Sequence, residues 1–449
     1  MEKFKNVVIG FGKAGKTLAK FLAQHDEEVL LIERSDQMYG GTCINVGCLP
    51  SKNMIINGQR HLEFADAVAK RGTMTKQLRN KNYHMVADEP LATVWNGQAS
   101  FVSNHELKVA MADGTVRQAA AERIFINTGA TSVWPKVPGL DPSERIVSSK
   151  EAMELAKKPA RLAIIGGGYI GLEFAEMFNS FGSEVTILDH HAQLLGREDA
   201  DIAAEVTNDL VSLGIKIELN AELTSVADDG QQVLLTYHQN GQKRQTEFDA
   251  VLVAAGRRPN IDGLGLENTD IALTERNAIQ VDDRLRTTVP DVWALGDVNG
   301  GPMFTYISLD DFRIVKDQLF GQGKRTTADR NVVPTASFLT PPLANVGINE
   351  RQAQAAGKDY LVFKLPVKAI PKARVLEDQR GVYKAIVERD THRILGATLY
   401  AAEAHETINL IALAMKADLP YETLRDMIFT HPTMSEALND LFKAPIKQA

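Results

Sequence analysis

Apolar residues fall in short runs along this chain, and two of the runs open the same longer pattern. Residues 7–33 read VVIGFGKAGKTLAKFLAQHDEEVLLIE, and residues 163–189 read AIIGGGYIGLEFAEMFNSFGSEVTILD. Each is a strand-like run, a glycine cluster, a stretch with helical periodicity, and a second apolar run ending in an acid. Both predict a strand–helix–strand unit. Further along, FKLPVKAI, GVYKAIVERD and RILGATLYA read as strands of an antiparallel sheet. AAEAHETINLIALAMKA has the spacing of an amphipathic helix, and NMIINGQRHLEFADAVAK, from Asn53, reads as one helix. PKVPGLDPSER and RRPNIDGLG are rich in breakers and mark domain boundaries.

The glycines make the two copies chemically specific. They are Gly10, Gly12 and Gly15, then Gly166, Gly168 and Gly171, each set a G-x-G-x-x-G. The closing acid, Glu33 or Asp189, follows the third glycine by 18 residues both times. Such glycines let backbone approach a pyrophosphate at a helix N-terminus, and the acid accepts from ribose hydroxyls. Gly10 to Thr17, GFGKAGKT, also fits G-x-x-x-x-G-K-[ST]. On that reading Lys16 and Thr17 would serve a P-loop ATPase. The second copy has no Lys-Thr, so the repeat favours two dinucleotide sites and leaves Lys16 a solvated helix residue.

Charge and composition exclude several classes. Apolar residues are 44% and charged residues 24%, with a formal net charge of −7. No basic run points to nucleic acid or a membrane surface. The apolar start is too short for a signal-peptide core, and no run is long enough to span a bilayer. A cytoplasmic enzyme is expected.

There are two cysteines, Cys43 and Cys48, both in GGTCINVGCLPSK (40–52). In a reducing compartment a close pair points to redox or metal chemistry more than to a structural staple. Residues five apart in an ideal helix lie roughly 8–9 Å apart, too far for a disulfide, so a bonded pair needs a distortion, and Gly47 can permit it. A nearby helix N-terminus would favour a thiolate. Two buried free thiols are the plainer alternative. A metal site is not expected, since the pair has no nearby histidine. His190 and His191 do not change this, because neighbours on an extended segment point apart. Two dinucleotide sites and one dithiol together describe an electron relay in which a flavin mediates between nicotinamide and sulfur.

In these motifs the chain resembles the FAD- and pyridine-nucleotide-dependent disulfide oxidoreductases, among them glutathione reductase, dihydrolipoamide dehydrogenase and mercuric reductase. GGTCINVGCLPSK is the most specific marker; INTGA (126–130), VAAGRRPN (253–260), ALGDV (294–298) and HPTMSEAL (431–438) also match. The resemblance implies an α/β protein: two Rossmann-like dinucleotide-binding domains and an α+β C-terminal dimerisation domain. FAD would occupy 1–141, completed by a return segment at 262–331; NAD(P) would occupy 142–261; and 332–449 would form the dimer interface. Cys43 becomes the interchange thiol and Cys48 the thiolate facing the flavin. Glu33 would bind the FAD ribose and Asp297 its ribityl chain, with Gly41, Thr42, Thr128, Gly129 and Gly256 lining the cofactor sites. Lys52 and Glu173 would pair beside the flavin, and Tyr169 would cover it until the nicotinamide arrives. Asp189 favours NADH, with NADPH the other candidate. His431, oriented by Glu436, would be the acid–base, reaching the dithiol of the other subunit of a homodimer.

The chain has no thiol after Cys48, unlike mercuric reductases with their C-terminal cysteine pair. MFTYISLDDFRIV, IGFGKAGKTLA, LRNKNYH, REDADIA and TPPLANVG instead resemble the reactive-chlorine-resistance flavoproteins that reduce copper(II). The acceptor is then a small-molecule disulfide or a metal ion, copper(II) among them. A glutathione-reductase-like or dihydrolipoamide-dehydrogenase-like enzyme is the alternative, and a flavin-bearing NADH sensor a more distant one.

Overall fold

The computed structural model describes residues 1–446, and the chain folds as two compact units. The first comprises Met1–Pro135, Ser148–Lys157 and Ala255–Asp329. Its elements are β1 (Glu2–Ile9), α1 (Lys13–Ala23), β2 (Val29–Glu33), α2 (Thr42–Asn45), α3 (Cys48–Gln59), α4 (Phe64–Ala87), β3 (Ala92–Ser103), β4 (Glu106–Met111) and β5 (Val116–Ile126). β1 pairs in parallel with β2 on one side and β5 on the other; β3 extends the sheet beyond β2, and Val292–Ala294 extends it beyond β5. β4 joins the far ends of β3 and β5 as an antiparallel meander.

Alternate residues of β1 enter different cores. Val7 and Ile9 pack with Leu30, Ile32, Ile124 and Ile126. Val8 packs with Leu31, Phe125 and the α1 residues Leu18 and Leu22. A strand buried on both faces reads as an unbroken apolar run, which is why the pattern shows so clearly. The chain leaves β1 toward β2, while β5 lies on the opposite side. The carboxyl end of β1 is thus a switch point, where doubly wound sheets bind ligands.

The second unit comprises Lys136–Val147, Lys158–Ala254 and Arg330–Ala449. A parallel sheet runs in the order Lys216–Glu218, Glu184–Leu188, Arg161–Ile165, Ala250–Val253, Ile146–Val147. A second, antiparallel sheet runs Thr335–Ser337, Leu343–Gly347, Ile394–Tyr400, Val382–Glu388, Tyr360–Pro366, with the helix Ala404–Lys416 sharing its core. The two parts are joined by charge. Lys384, 5% exposed, meets Asp199 at 3.0 Å, Asp201 at 3.1 Å and Glu350 at 2.6 Å. Lys384 and Asp199 are the buried pair of this cluster, and removing Lys384 would strand the Asp199 carboxylate at a cost of roughly 3–5 kcal/mol.

Two local expectations are corrected. The helix expected from Asn53 starts at Cys48 and ends at Gln59, and a second begins at Phe64; His61 between them has φ 56°. FKLPVKAI is a strand only as far as Pro366, after which Val367–Ala369 forms a single 3₁₀ turn. No helix among the described residues is long and apolar enough to cross a membrane.

Candidate active site

The two glycine turns have the same frame. Gly10 and Gly166 follow their strands at φ 104° and 108°, a region open to glycine. Their N–H groups donate to Ile32 and Leu188, the penultimate and final residues of the second strands. A Cβ on Gly15 would lie 2.3 Å from the Gly10 carbonyl oxygen, and one on Gly171 would lie 2.0 Å from that of Gly166. Only glycine lets the helix start so close to the strand. Each closing acid grips its own turn. Glu33 accepts from Phe11 N–H at 2.9 Å, and Asp189 accepts from Gly167 N–H at 2.6 Å. Burial pushes the Glu33 carboxyl up. Burial also opposes ionisation at Asp189, but the His191 and Gly167 N–H groups and the His191 ring outweigh it and hold that carboxyl low. With helices beginning at Lys13 and Tyr169, both turns fit a dinucleotide pyrophosphate.

The first turn is braced from afar. Asn127, just past β5, accepts from Gly15 N–H at 2.9 Å and donates to the Leu295 carbonyl at 2.6 Å. Ser308 accepts from Ala14 N–H at 3.2 Å. The dithiol segment lies directly on this turn, since a Cβ on Gly41 would come within 2.7 Å of the Gly12 Cα. A Cβ on Gly129 would lie 4.0 Å from the Thr42 hydroxyl oxygen, and the Thr128 hydroxyl donates to the Asn260 carbonyl at 2.7 Å. Gly256 accepts from Val133 N–H at 3.0 Å. Burial pushes the Asp297 carboxyl up, opposed by the Arg257 charge.

The distortion that a bonded pair would need is already present, as a break between two helices. α2 ends at Asn45, Gly47 caps the next helix, and Cys48 is the first residue of α3. Both thiols are free, Cys43 half-buried and Cys48 exposed. The pair divides the charge. A hydrogen bond from Cys43 is the largest influence holding Cys48 down to about 6; the Thr305 hydroxyl, 3.7 Å from its sulfur, and the Lys52 ammonium add to it against desolvation. The same hydrogen bond, with burial, pushes Cys43 far up. A thiolate at the start of a helix also meets the positive end of its dipole. Lys52 itself donates to the Ser51 hydroxyl at 3.4 Å.

In the second unit Tyr169 opens the helix after the glycine turn, 40% exposed, and donates to Glu198 at 2.5 Å. Glu173, one turn further on, is buried and accepts from Phe338 N–H at 2.8 Å. His431 Nδ1 lies 2.8 Å and 3.1 Å from the two Glu436 oxygens, and the His431–Pro432 peptide is cis. The imidazole is exposed at the surface of this unit.

Two expectations fail here. Lys16 is 5% exposed rather than solvated, because α1 turns it under the dithiol segment. The rings of His190 and His191 lie 3.8 Å apart instead of pointing away, because the strand ends at Leu188 and the chain bends after Asp189. Ligand atoms of these three residues lie within 4.8 Å of one another, but the Asp189 oxygens already accept from Gly167 and His191. Thr305, Asn127 and Glu198 are site residues that sequence reasoning passed over. Thr305 stands inside MFTYISLDDFRIV, a stretch noticed for its likeness and not for its chemistry.

Residues 4–311 match the family model described as pyridine nucleotide-disulphide oxidoreductase, and residues 333–442 match that family's dimerisation domain. The chain is 50% identical to the probable pyridine nucleotide-disulfide oxidoreductase RclA of Escherichia coli K12, over 98% of this chain and 99% of that one. It is 32% identical to the mercuric reductase of Bacillus cereus, over 96% of this chain and 70% of that one. A solved Cu(II) complex of the HOCl-induced flavoprotein disulfide reductase RclA from Escherichia coli superposes with a TM-score of 0.95 at 49% identity, over 98% of this chain and 99% of that one. Likeness of this extent, over turns and a dithiol built as described, makes the chain a member of the pyridine nucleotide-disulphide oxidoreductase family: an FAD- and NAD(P)H-dependent oxidoreductase.

Proposed function

We propose that the chain carries electrons from NADH through FAD to Cys43–Cys48, and from there to a small-molecule disulfide or a metal ion, with copper(II) the favoured metal substrate. The observation that carries this is the placement of the pair: Cys48 opens α3 with the Thr305 hydroxyl 3.7 Å from its sulfur, and Cys43 lies in the segment that rests on the first glycine turn, an arrangement that favours charge on Cys48. FAD, when bound, takes two electrons from nicotinamide and passes them to a disulfide. The chain's own groups do the rest. The first glycine turn, Glu33 and Asp297 hold FAD; the second turn and Asp189 hold the coenzyme. The Cys43 hydrogen bond, then Thr305 and Lys52, favour charge on Cys48, and Cys43 is the thiol that exchanges with the acceptor. Glu173 and Tyr169 carry the roles the resemblance assigns them. Copper(II) is favoured by the likeness to a protein solved as a Cu(II) complex. A reducing cytoplasm suits so cysteine-poor a chain, whose two thiols cycle between states.

The test is spectroscopic and kinetic. Two-electron reduction should give a long-wavelength charge-transfer absorbance that Cys48→Ser removes with FAD retained. Cys43→Ser should keep the band and abolish turnover. NADH oxidation is then followed with copper(II), mercury(II), oxidised glutathione, lipoamide and oxygen. A band that persists in Cys48→Ser would reverse the assignment of the two sulfurs.

We read His431, held by Glu436, as the acid–base acting on the partner subunit's dithiol. An imidazole titrates near neutrality and can protonate a leaving thiolate. Mixed dimers of His431→Ala and Cys43→Ala chains should recover up to about half of wild-type activity, since one of their two sites is intact. No recovery in verified mixed dimers rules out a shared site.

A further inference from the structure

Lys16 belongs to neither reading of the first glycine turn. It is the lysine of the Gly-x-x-x-x-Gly-Lys-Thr match, yet dinucleotide binding makes no use of it. Its side chain is buried, and Nζ donates to the Gly40 carbonyl at 3.3 Å and to Oδ1 of Asn82 on α4. Both acceptors are neutral, so the ammonium is held without a carboxylate. Burying a charge on such terms is costly. Burial, then repulsion from Lys13, pushes the Lys16 amine down to about 8, and the group that works the other way is Cys43.

The surroundings tie Lys16 to the dithiol. Gly40 lies three residues before Cys43. Asn45, at the end of α2, donates to the carbonyls of Tyr39 at 3.0 Å and Gly41 at 2.9 Å, and accepts from Arg79 on α4 at 3.0 Å. The stretch from Tyr39 to Asn45 is thus clamped between α1 and α4, with Lys16 on one side and Arg79 and Asn82 on the other. A neutral amide could bridge Gly40 and Asn82 as well. What only lysine or arginine adds there is charge.

We propose that Lys16 is a positioning residue of the dithiol: its buried ammonium fixes the Gly40 carbonyl against α4 and supplies the positive charge that favours the Cys43 thiolate. This rests on Cys43 being the thiol that meets the acceptor. With a disulfide acceptor, the Cys43 thiolate bonds to one acceptor sulfur and the other leaves as a thiolate. Cys48 then displaces the bound sulfur and closes the Cys43–Cys48 disulfide. Two electrons have passed to the acceptor, whose two thiolates take up protons, the first from the acid–base imidazole proposed above and the second from solvent. Lys16 assists the first attack.

The chain offers a clean test, because Cys48→Ser leaves Cys43 as its one thiol. In that FAD-loaded variant, alkylation by iodoacetamide reports the Cys43 thiolate directly, as the sulfur displaces iodide. Adding Lys16→Met should slow alkylation at pH 7 by roughly fivefold and move the pH midpoint upward, as loss of a nearby opposite charge requires. Lys16→Arg should keep the midpoint. Asn82→Asp, which sets a carboxylate on the ammonium, should move it the same way as Lys16→Met and carries the test if that variant does not fold. An unmoved midpoint in Lys16→Met or in Asn82→Asp overturns the proposal. So does an equal shift in Lys16→Arg, which would mean packing and not charge. FAD lost from Lys16→Met with Cys43 reactivity unchanged would make Lys16 a cofactor ligand instead. None of these measurements uses an acceptor, so a wrong acceptor, or turnover surviving in Cys43→Ser, would be recognised separately.

Discussion

The two glycine turns share sequence, strand–helix geometry and a closing acid, but not their setting. A Cβ on Gly12 would lie 2.4 Å from the Asn127 side-chain oxygen, whereas one on Gly168 would meet nothing within 4 Å. The first turn is stitched to residues more than a hundred positions away, through Asn127 and Ser308. The second turn leads directly into Tyr169, which is 40% exposed. The difference suits the assignment proposed above, FAD to the first turn and the coenzyme to the second. A prosthetic flavin stays, so its cradle can be rigid; a coenzyme must enter and leave at each turnover, so its cradle stays open. Identical motifs can therefore serve residence or exchange, and the neighbours decide which.

The strongest way to break this comparison is to add a methyl group to each turn. Gly12→Ala should lose FAD, or fold poorly, at a cost above about 3 kcal/mol, because the rigid Asn127 cannot withdraw. Gly168→Ala should keep FAD and its melting temperature and change only KM for NADH. Flavin absorbance of the purified variants and thermal melts decide it; equal damage would end the distinction. Next in size is Asn127→Ala, which leaves the Gly15 N–H and the Leu295 carbonyl unpaired in the core. Chemical denaturation should show a loss of roughly 2–4 kcal/mol.

A smaller effect concerns the coenzyme. Asp189 should repel a 2′-phosphate, so NADH should be preferred, and Asp189→Ser should narrow the kcat/KM ratio between NADH and NADPH by roughly tenfold. His190 and His191 can offset the repulsion when protonated. Comparable kcat/KM for the two coenzymes at alkaline pH would sink the argument.

The smallest effect separates the two acids by sign. Glu33 has a raised folded-state pKa, so it binds protons more readily folded than unfolded. Its contribution is favourable below its unfolded pKa and is lost as pH rises through the folded value. Glu33→Gln should therefore be neutral or slightly stabilising at pH 7. Asp189 has a lowered pKa, so its contribution is present above the unfolded value and lost as pH falls through the folded one. Asp189→Asn should be destabilising at pH 7 and lose that deficit in acid. Each difference should be under about 1 kcal/mol, and melting curves across pH that share one sign would contradict the contrast.

What was legible in the sequence is what chemistry demands of neighbours in the chain. The glycine turns, their acids and the dithiol each fit within some thirty residues, and backbone approach or thiol pairing constrains them locally. Helix geometry and one glycine also gave the condition that a bonded pair needs a distortion there, and the segment does break at Gly47 with both thiols free. Thr305 stands 257 residues from Cys48, and Asn127 stands 112 from Gly15. No local pattern announces such partners, because they are brought in by sheet order. Lys16 misled because most lysines are exposed, and His190 and His191 because strand alternation was carried past the strand's end.

The Asn127 bridge also sets an order of assembly. It links a turn made by residues 10–15 to a carbonyl at residue 295, so the flavin cradle cannot close until almost two-thirds of the chain has left the ribosome. The second turn needs only residues 163–189 and the strands beside them, all made earlier than that last stitch. Pulse proteolysis of chains stalled near residue 290, far enough on for the strand Ala250–Val253 to clear the exit tunnel, should find the coenzyme sheet protected and the flavin sheet still open. The domain that starts first in the chain is the one that finishes later, and the cell must supply its flavin after most of the protein already exists.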